Sequence, residues 1–272
     1  MLDPGLVPAT YLGGPAARYV LGARYATDVL VARPDIPSDG VHSYLCFSGQ
    51  GGREELITTA RRATWASFAF ALRVQASITL NVEPRELEAG VRLVAVGGTG
   101  THVPQVFLAD TIENGAGFTT ALSTPAAFAR LMADCETLIS GTWEDADEHS
   151  CGSSCPGCLR DWSNTPYHPL LDWRLAADLL DVLVHGAPRL DRWATVRTGA
   201  VAKVCKDFGW TDLDPGADRP LLNAAGTLIC VVHPLDDIDA GLRSGVKTPH
   251  GDALPFDCFN FDRRPGEIFR RL

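Results

Sequence analysis

A chain of 272 residues with 46% hydrophobic and 21% charged residues can bury a sizeable core, which excludes an intrinsically disordered protein. It has no apolar run of about 18 residues that would span a membrane, and Met1-Leu2-Asp3-Pro4 lacks the basic and apolar segments of a secretory signal, so a cytoplasmic location is expected. A net charge of −9 excludes a protein that coats nucleic acid through bulk charge, while leaving room for a local basic groove.

Along the chain, two short β-type runs come first, Tyr19-Val20-Leu21 and Thr27-Asp28-Val29-Leu30-Val31, expected as a hairpin or adjacent strands. Pro34 to Gly40 reads as a loop. A long helix is expected from Glu55 to about Leu80, because Leu56, Ala60, Ala63, Ser67, Phe70 and Val74 recur at helical spacing. Trp65, Phe68, Leu72 and Ala76 widen its apolar side, so it should be mostly buried, and Pro84 follows its end. Strands are expected at 91–96 and 106–108, joined through Gly97-Gly98-Thr99-Gly100.

Asp110 leads into Asn114-Gly115-Ala116-Gly117, a strand-to-helix turn whose amides could hold an anion. It lacks the Lys of a Walker loop and the spacing of a dinucleotide fingerprint. The simpler reading is a tight turn, permitted by the glycines, whose amides bond to Asp110. Thr124 as N-cap and Pro125 at the first position open a helix to about Ile139. Another helix is expected from Pro169 to His185, with Leu171, Leu175, Leu179 and Leu183 in register, ended by Gly186-Ala187-Pro188. Leu228 to Val232 is an expected strand, and the Phe- and Arg-rich tail is expected to be rich in turns. The pattern is α/β (mixed α+β), with a core over residues 1–186 and a smaller portion, 187–272, packed on it.

Of the eight cysteines, Cys46, Cys135, Cys205, Cys230 and Cys258 are scattered and suit packing as small hydrophobes. The other three form the cluster His149-Ser150-Cys151-Gly152-Ser153-Ser154-Cys155-Pro156-Gly157-Cys158, or H-x-C-x3-C-x2-C, in a loop between two helices. Thiolate and imidazole are the ligands of tetrahedral zinc, and Cys-Pro-Gly-Cys suits a turn that aims two sulfurs at one ion. Four protein ligands leave no open position, so one structural Zn2+ is expected, held by His149, Cys151, Cys155 and Cys158, with Cys135 in reserve for His149. An iron–sulfur cluster would normally use four cysteines, and the H-x-E of a zinc deaminase is missing. His168 and Asp172, four apart, could form an acid–base pair, although capping or packing is the commoner role, and no catalytic constellation is evident.

Residues 155–164 (Cys-Pro-Gly-Cys-Leu-Arg-Asp-Trp-Ser-Asn) with 167–174 (Tyr-His-Pro-Leu-Leu-Asp-Trp-Arg) resemble the MZB (MrfA zinc-binding) domain, found in MrfA-type DNA helicases and in the DrmB subunit of DISARM phage defence. Ser67 to Arg73, the turn from Asp110 to Gly117 and Phe259-Asn260-Phe261-Asp262-Arg263-Arg264-Pro265 add to the likeness. His149 stands where the family usually has its first cysteine, a change zinc accepts, and Trp173 departs from the usual Asp-Arg pairing. No motor motif is present. The resemblance therefore implies an accessory subunit of a separately encoded superfamily 2 helicase, helping to grip or route DNA in antiviral defence or DNA repair. Arg61, Arg62, Arg263 and Arg264 are candidate DNA or partner contacts. A nuclease or hydrolase using Asp110, His168 and Asp172, and a purely structural scaffold, are the alternatives.

Overall fold

In the computed structural model, residues 26–33, 54–95, 102–145, 147, 149–236, 245–270 and 272 are described, together with an N-terminal strand pair. That pair is β1 (Pro8–Ala9) with β2 (Ala17–Arg18). The expected run at 19–21, the loop at 34–40 and the turn at 97–100 lie outside the described residues.

Helix α1 (Glu54–Leu80) is the axis of the fold. Its alanines at 60, 63, 66, 69, 71 and 76 carry no side-chain bulk, so neighbouring elements approach closely on several sides. Trp65, Phe68 and Leu72 fill the remaining space, each at most 1% exposed. A helix apolar nearly all round is stable only inside a core. One flank is a three-stranded antiparallel sheet, β3 (Val29–Ala32), β4 (Leu87–Ala95) and β5 (His102–Asp110), in the order β3-β5-β4. The pairs Ala89↔Leu108 and Val91↔Val106 lie toward α1. Period-two alternation puts Glu88, Gly90 and Arg92 on the opposite face. Both long strands extend beyond the expected bounds, because polar positions can continue a strand whose other face is buried.

Asp110 caps the turn into α2 (Phe118–Ala121), and α3 (Pro125–Leu138) starts at its expected N-cap, Thr124 accepting from the Ala127 amide at 3.2 Å. A π-helical turn, Ile139–Trp143, extends α3. Helix α4 (Trp173–His185) begins later than expected. The Asp172 carboxylate caps the Arg174 amide at 3.0 Å, and residues before it form a separate 3-10 turn, Trp162–Tyr167. Gly186, at φ 84°, ends α4 as expected.

Beyond it, α5 (Ala194–Phe208) packs near a five-stranded sheet of β6 (Thr211–Asp212), β7 (Leu221–Ala224), β8 (Thr227–Val232), β9 (Val246–Thr248) and β10 (Gly251–Asp257). The order is β6-β7-β8-β10-β9, and only β8 and β10 run parallel. The tail, expected as turns, is instead β10 followed by α6 (Cys258–Arg263) and α7 (Pro265–Phe269). Asp257 caps α6 through the Asn260 amide at 2.9 Å, and Phe259 and Phe261 are core residues. One connected set of buried residues includes Trp65 and Leu175 before Gly186, and Trp193, Val231 and Phe259 after it. Among the described residues no helix is long and apolar enough to cross a membrane.

Candidate metal centre

The loop joining the π-helical turn to α4 brings four donor atoms together. The donors of His149, Cys151, Cys155 and Cys158 all lie within 4.8 Å of one another. Cys151 Sγ and Cys155 Sγ each stand 3.8 Å from Cys158 Sγ, and His149 Nε2 is 3.3 Å from Cys155 Sγ. Zinc–sulfur bonds of about 2.3 Å at tetrahedral angles place sulfurs roughly 3.8 Å apart, so these residues fit one zinc ion. Cys135, the reserve ligand, is not among the converging donors. It is 0% exposed in the core, where burial pushes its thiol up to about 12.

Each donor is positioned by a local bond. His149 Nδ1 lies 3.0 Å from the Trp143 carbonyl, which the π-helical turn presents. That contact favours the tautomer with the proton on Nδ1 and the lone pair on Nε2, facing the sulfurs. The Cys158 amide donates to the Cys155 carbonyl at 3.1 Å, closing the Cys-Pro-Gly-Cys turn, and the Cys155 amide donates to Cys158 Sγ at 3.2 Å. Burial pushes the Cys155 thiol up, but contacts from His149 and the Gly157 amide outweigh it and hold the thiol below its ordinary value. Cys158 and Cys151 are pushed up, chiefly by burial.

The loop is stitched to the start of α4. The Trp173 amide donates to the Ser153 carbonyl at 2.8 Å, and the Ser154 hydroxyl donates to the Leu171 carbonyl at 2.9 Å. The Trp173 ring stands edge-on to His149 at 6.4 Å, so this departure from the family pattern covers the imidazole. Arg174 bridges the Gly152 carbonyl and the Asp172 carboxylate. Asp172 is a fully buried hub. Its amide donates to Ser67 Oγ of α1 at 2.9 Å, and its carboxylate meets Arg174 at 2.8 Å and Arg263 of α6 at 3.1 Å. Desolvation raises its carboxyl pKa, and the two guanidinium groups oppose that rise. Arg174 closes the run 167–174 that carries the family resemblance, but nothing there gave it a role, and the Trp143 carbonyl had no motif to mark it. For Trp143 the one sequence signal was its closeness to the cysteine run.

The structure gives Asp110, His168 and Asp172 three separate tasks. Asp110 accepts from the amides of Ala116, Phe118 and Thr119 at 2.7, 3.0 and 2.9 Å, the capping role of the simpler reading. His168 Nε2 faces the Asp161 carbonyl and Asn164 Oδ1 at 3.0 and 2.9 Å, and Asp172 is the hub just described, so the two take the capping and packing roles given as the commoner reading and form no acid–base pair. Arg61, a candidate contact, is 1% exposed within α1. Arg62 is exposed, Arg263 is committed to Asp172, and Arg264 is half-buried.

Residues 68–159 match the MZB family, described as the MrfA Zn-binding domain. Over 175 residues the chain is 25% identical to Druantia protein DruE of Escherichia coli (strain UMEA 4076-1), a match covering 64% of this chain and 9% of DruE. The crystal structure of the DUF1998 helicase MrfA bound to DNA aligns with TM-score 0.33 and 16% identity, over 50% of this chain and 15% of that one, too distant to support an inference about this chain. The chain thus spans a small part of the length of both. The MZB match begins inside α1 and ends one residue past Cys158, so all four donors fall within it. Residues 68–159 are therefore similar to the MZB zinc-binding domain, and they contain a His/Cys cluster that can hold one zinc ion.

Proposed function

We propose that this protein is a zinc-stabilised accessory subunit of a separately encoded superfamily 2 DNA helicase, acting on DNA through that complex in antiviral defence or DNA repair. His149, Cys151, Cys155 and Cys158 are its zinc ligands, and residues 1–186 and 187–272 its core and C-terminal portion. The observation that carries the reading is the coincidence of the MZB match with the complete donor set. The matching family is described by the name of MrfA, a helicase, and that supports a place beside such a motor. Zinc contributes no reaction here. Four protein ligands close its coordination, and its task is to pin the loop to α4 and so to the Asp172 hub.

Arg62 and Arg264 remain candidate contacts, whereas substituting Arg263 would disturb the hub as well as any surface it forms. The test is purification of the tagged chain from its own cells, with metal analysis and identification of what is retained. About one zinc per chain and an associated superfamily 2 motor are expected, with both lost in Cys155→Ser/Cys158→Ser. Zinc without any helicase would remove the subunit reading, and protein without zinc would remove the site.

A further inference from the structure

Trp162 is 93% exposed, although a tryptophan has more to gain from burial than almost any other side chain. Its exposure is not looseness. The turn that carries it is held by Asp161, whose carboxylate accepts from the Ser163 amide and hydroxyl, both at 2.6 Å, and from the Asn164 amide at 3.2 Å. Asn164, itself buried, donates to the Leu159 carbonyl at 2.7 Å, one residue from the metal loop. Arg73 of α1 pairs with Asp161 and donates to Ser163 Oγ at 3.0 Å, which ties the turn to the core. A bare indole on a turn this firmly fixed is a preformed contact surface.

The same turn forms one wall of a groove of about 660 Å³ that runs along β4, the edge strand of its sheet. Phe70 and Tyr167 pack edge to face at 5.1 Å on one side. On the other, the Phe107 ring lies over Gly90, where a Cβ would come within 2.7 Å of it. Arg85 and Arg92 also line the groove, and exposed Arg62 lies near enough for its charge to act on the Tyr167 phenol. Among the described residues these three arginines make no ion pair, whereas the groove's Arg73 is neutralised by Asp161, and Glu88 is the carboxylate in the lining. The groove is therefore locally basic and aromatic on a chain of net charge −9.

We propose that this groove is a binding track for single-stranded DNA, with Trp162 stacking on a base and Arg85 and Arg92 meeting phosphates. Unpaired bases offer flat faces to aromatic rings whatever their sequence, and guanidinium groups follow the backbone. A bare, fixed indole is of little use to the stacked interior of a duplex, which favours a single strand. The proposal deepens the DNA role proposed above and rests on it.

The test is fluorescence anisotropy of labelled oligothymidine with the zinc-loaded full chain across a salt series, with intrinsic tryptophan emission followed in parallel. Wild type is expected to bind with quenching. Trp162→Ala should weaken binding about tenfold, and Trp162→Phe should keep most of it. Arg85→Ala/Arg92→Ala should flatten the slope of log affinity against log salt by about 1.4, the expectation for two lost phosphate contacts on a single strand. Zinc content and circular dichroism check that each variant is folded. Equal binding by wild type and variants would place the DNA elsewhere and overturn the track while leaving the helicase reading intact. No binding of oligothymidine at low salt would overturn it too, and helicase co-purification would still judge the wider reading separately. Loss of helicase co-purification in Trp162→Ala, with oligothymidine binding unchanged, would make this surface a protein interface instead.

Discussion

At His149 the choice of donor atom rests on one backbone carbonyl. With Nδ1 held by Trp143 O at 3.0 Å, Nε2 keeps its lone pair for the metal. His149→Ala removes a proposed ligand, so zinc release to a chromogenic chelator should accelerate by more than the roughly 10–100-fold typical of losing an outer-sphere partner. Cys135→Ala should leave zinc content unchanged, since this thiol sits in the core and outside the donor set. Zinc loss in that variant would reopen Cys135 as a ligand. Asp110 offers a test in pH. Burial raises its carboxyl pKa, but the amides of Ala116, Thr119 and Phe118 outweigh that and hold it below the usual value. A depressed folded value contributes stability above the unfolded value of about 4, and that stability is lost as pH falls through the folded one. Asp110→Asn turns a donor toward those amides and should cost about 1–3 kcal/mol at neutral pH. The gap to wild type should narrow below about pH 4 in urea titrations, and a gap independent of pH would show that the charge plays no part.

Helix α4 carries two aspartates within an apolar sequence, and the structure shows why they are tolerated. Asp178 is 0% exposed and accepts from Trp193 Nε1 at 2.6 Å, pairs with Arg192 and lies 3.2 Å from His233 Nε2. Arg192, its side chain 4% exposed, also meets Asp181 at 2.8 Å and Glu144 at 2.6 Å. Burial alone would weaken its hold on the proton, but these carboxylates more than restore it. The network fastens α4 to the segment after Gly186 and to the end of the π-helical turn. Asp178→Ala would leave a buried guanidinium short of a partner and should cost about 3–5 kcal/mol in chemical denaturation. His185→Ala, which removes a surface pair with Glu136, should change stability little. Similar losses in the two variants would mean that burial does not set the strength of these pairs.

For the molecule as a whole, the metal loop is a staple between segments distant in sequence. It touches α4 directly, and through Asp172 it reaches Ser67 of α1 and Arg263 of α6. Chelation should free the stretch from 145 to 172 for limited proteolysis and lower the thermal midpoint by at least about 5 °C, since each kcal/mol moves a domain of about this size by roughly 2–4 °C. An unchanged cleavage pattern would show that the loop holds its place without the ion.

Local chemistry was enough to read much of this from the sequence. The four donors, the long buried helix, the Thr124 and Gly186 boundaries and the Asp110 turn depend on spacing, capping and left-handed backbone, all set by residues near one another in the chain. Tertiary structure decided the remainder because it turns on which side chains meet across long separations. Phe259 and Phe261 of the tail became core, since α6 packs beside α5 and places them there. Arg61 went inside and Arg263 to a carboxylate 91 residues away. His168 and Asp172, four apart in sequence, took different partners because the fold draws Asp172 toward α1 and α6. The groove beside Trp162 exists only where an edge strand, a helix and a turn converge, and no segment of the sequence carries all three.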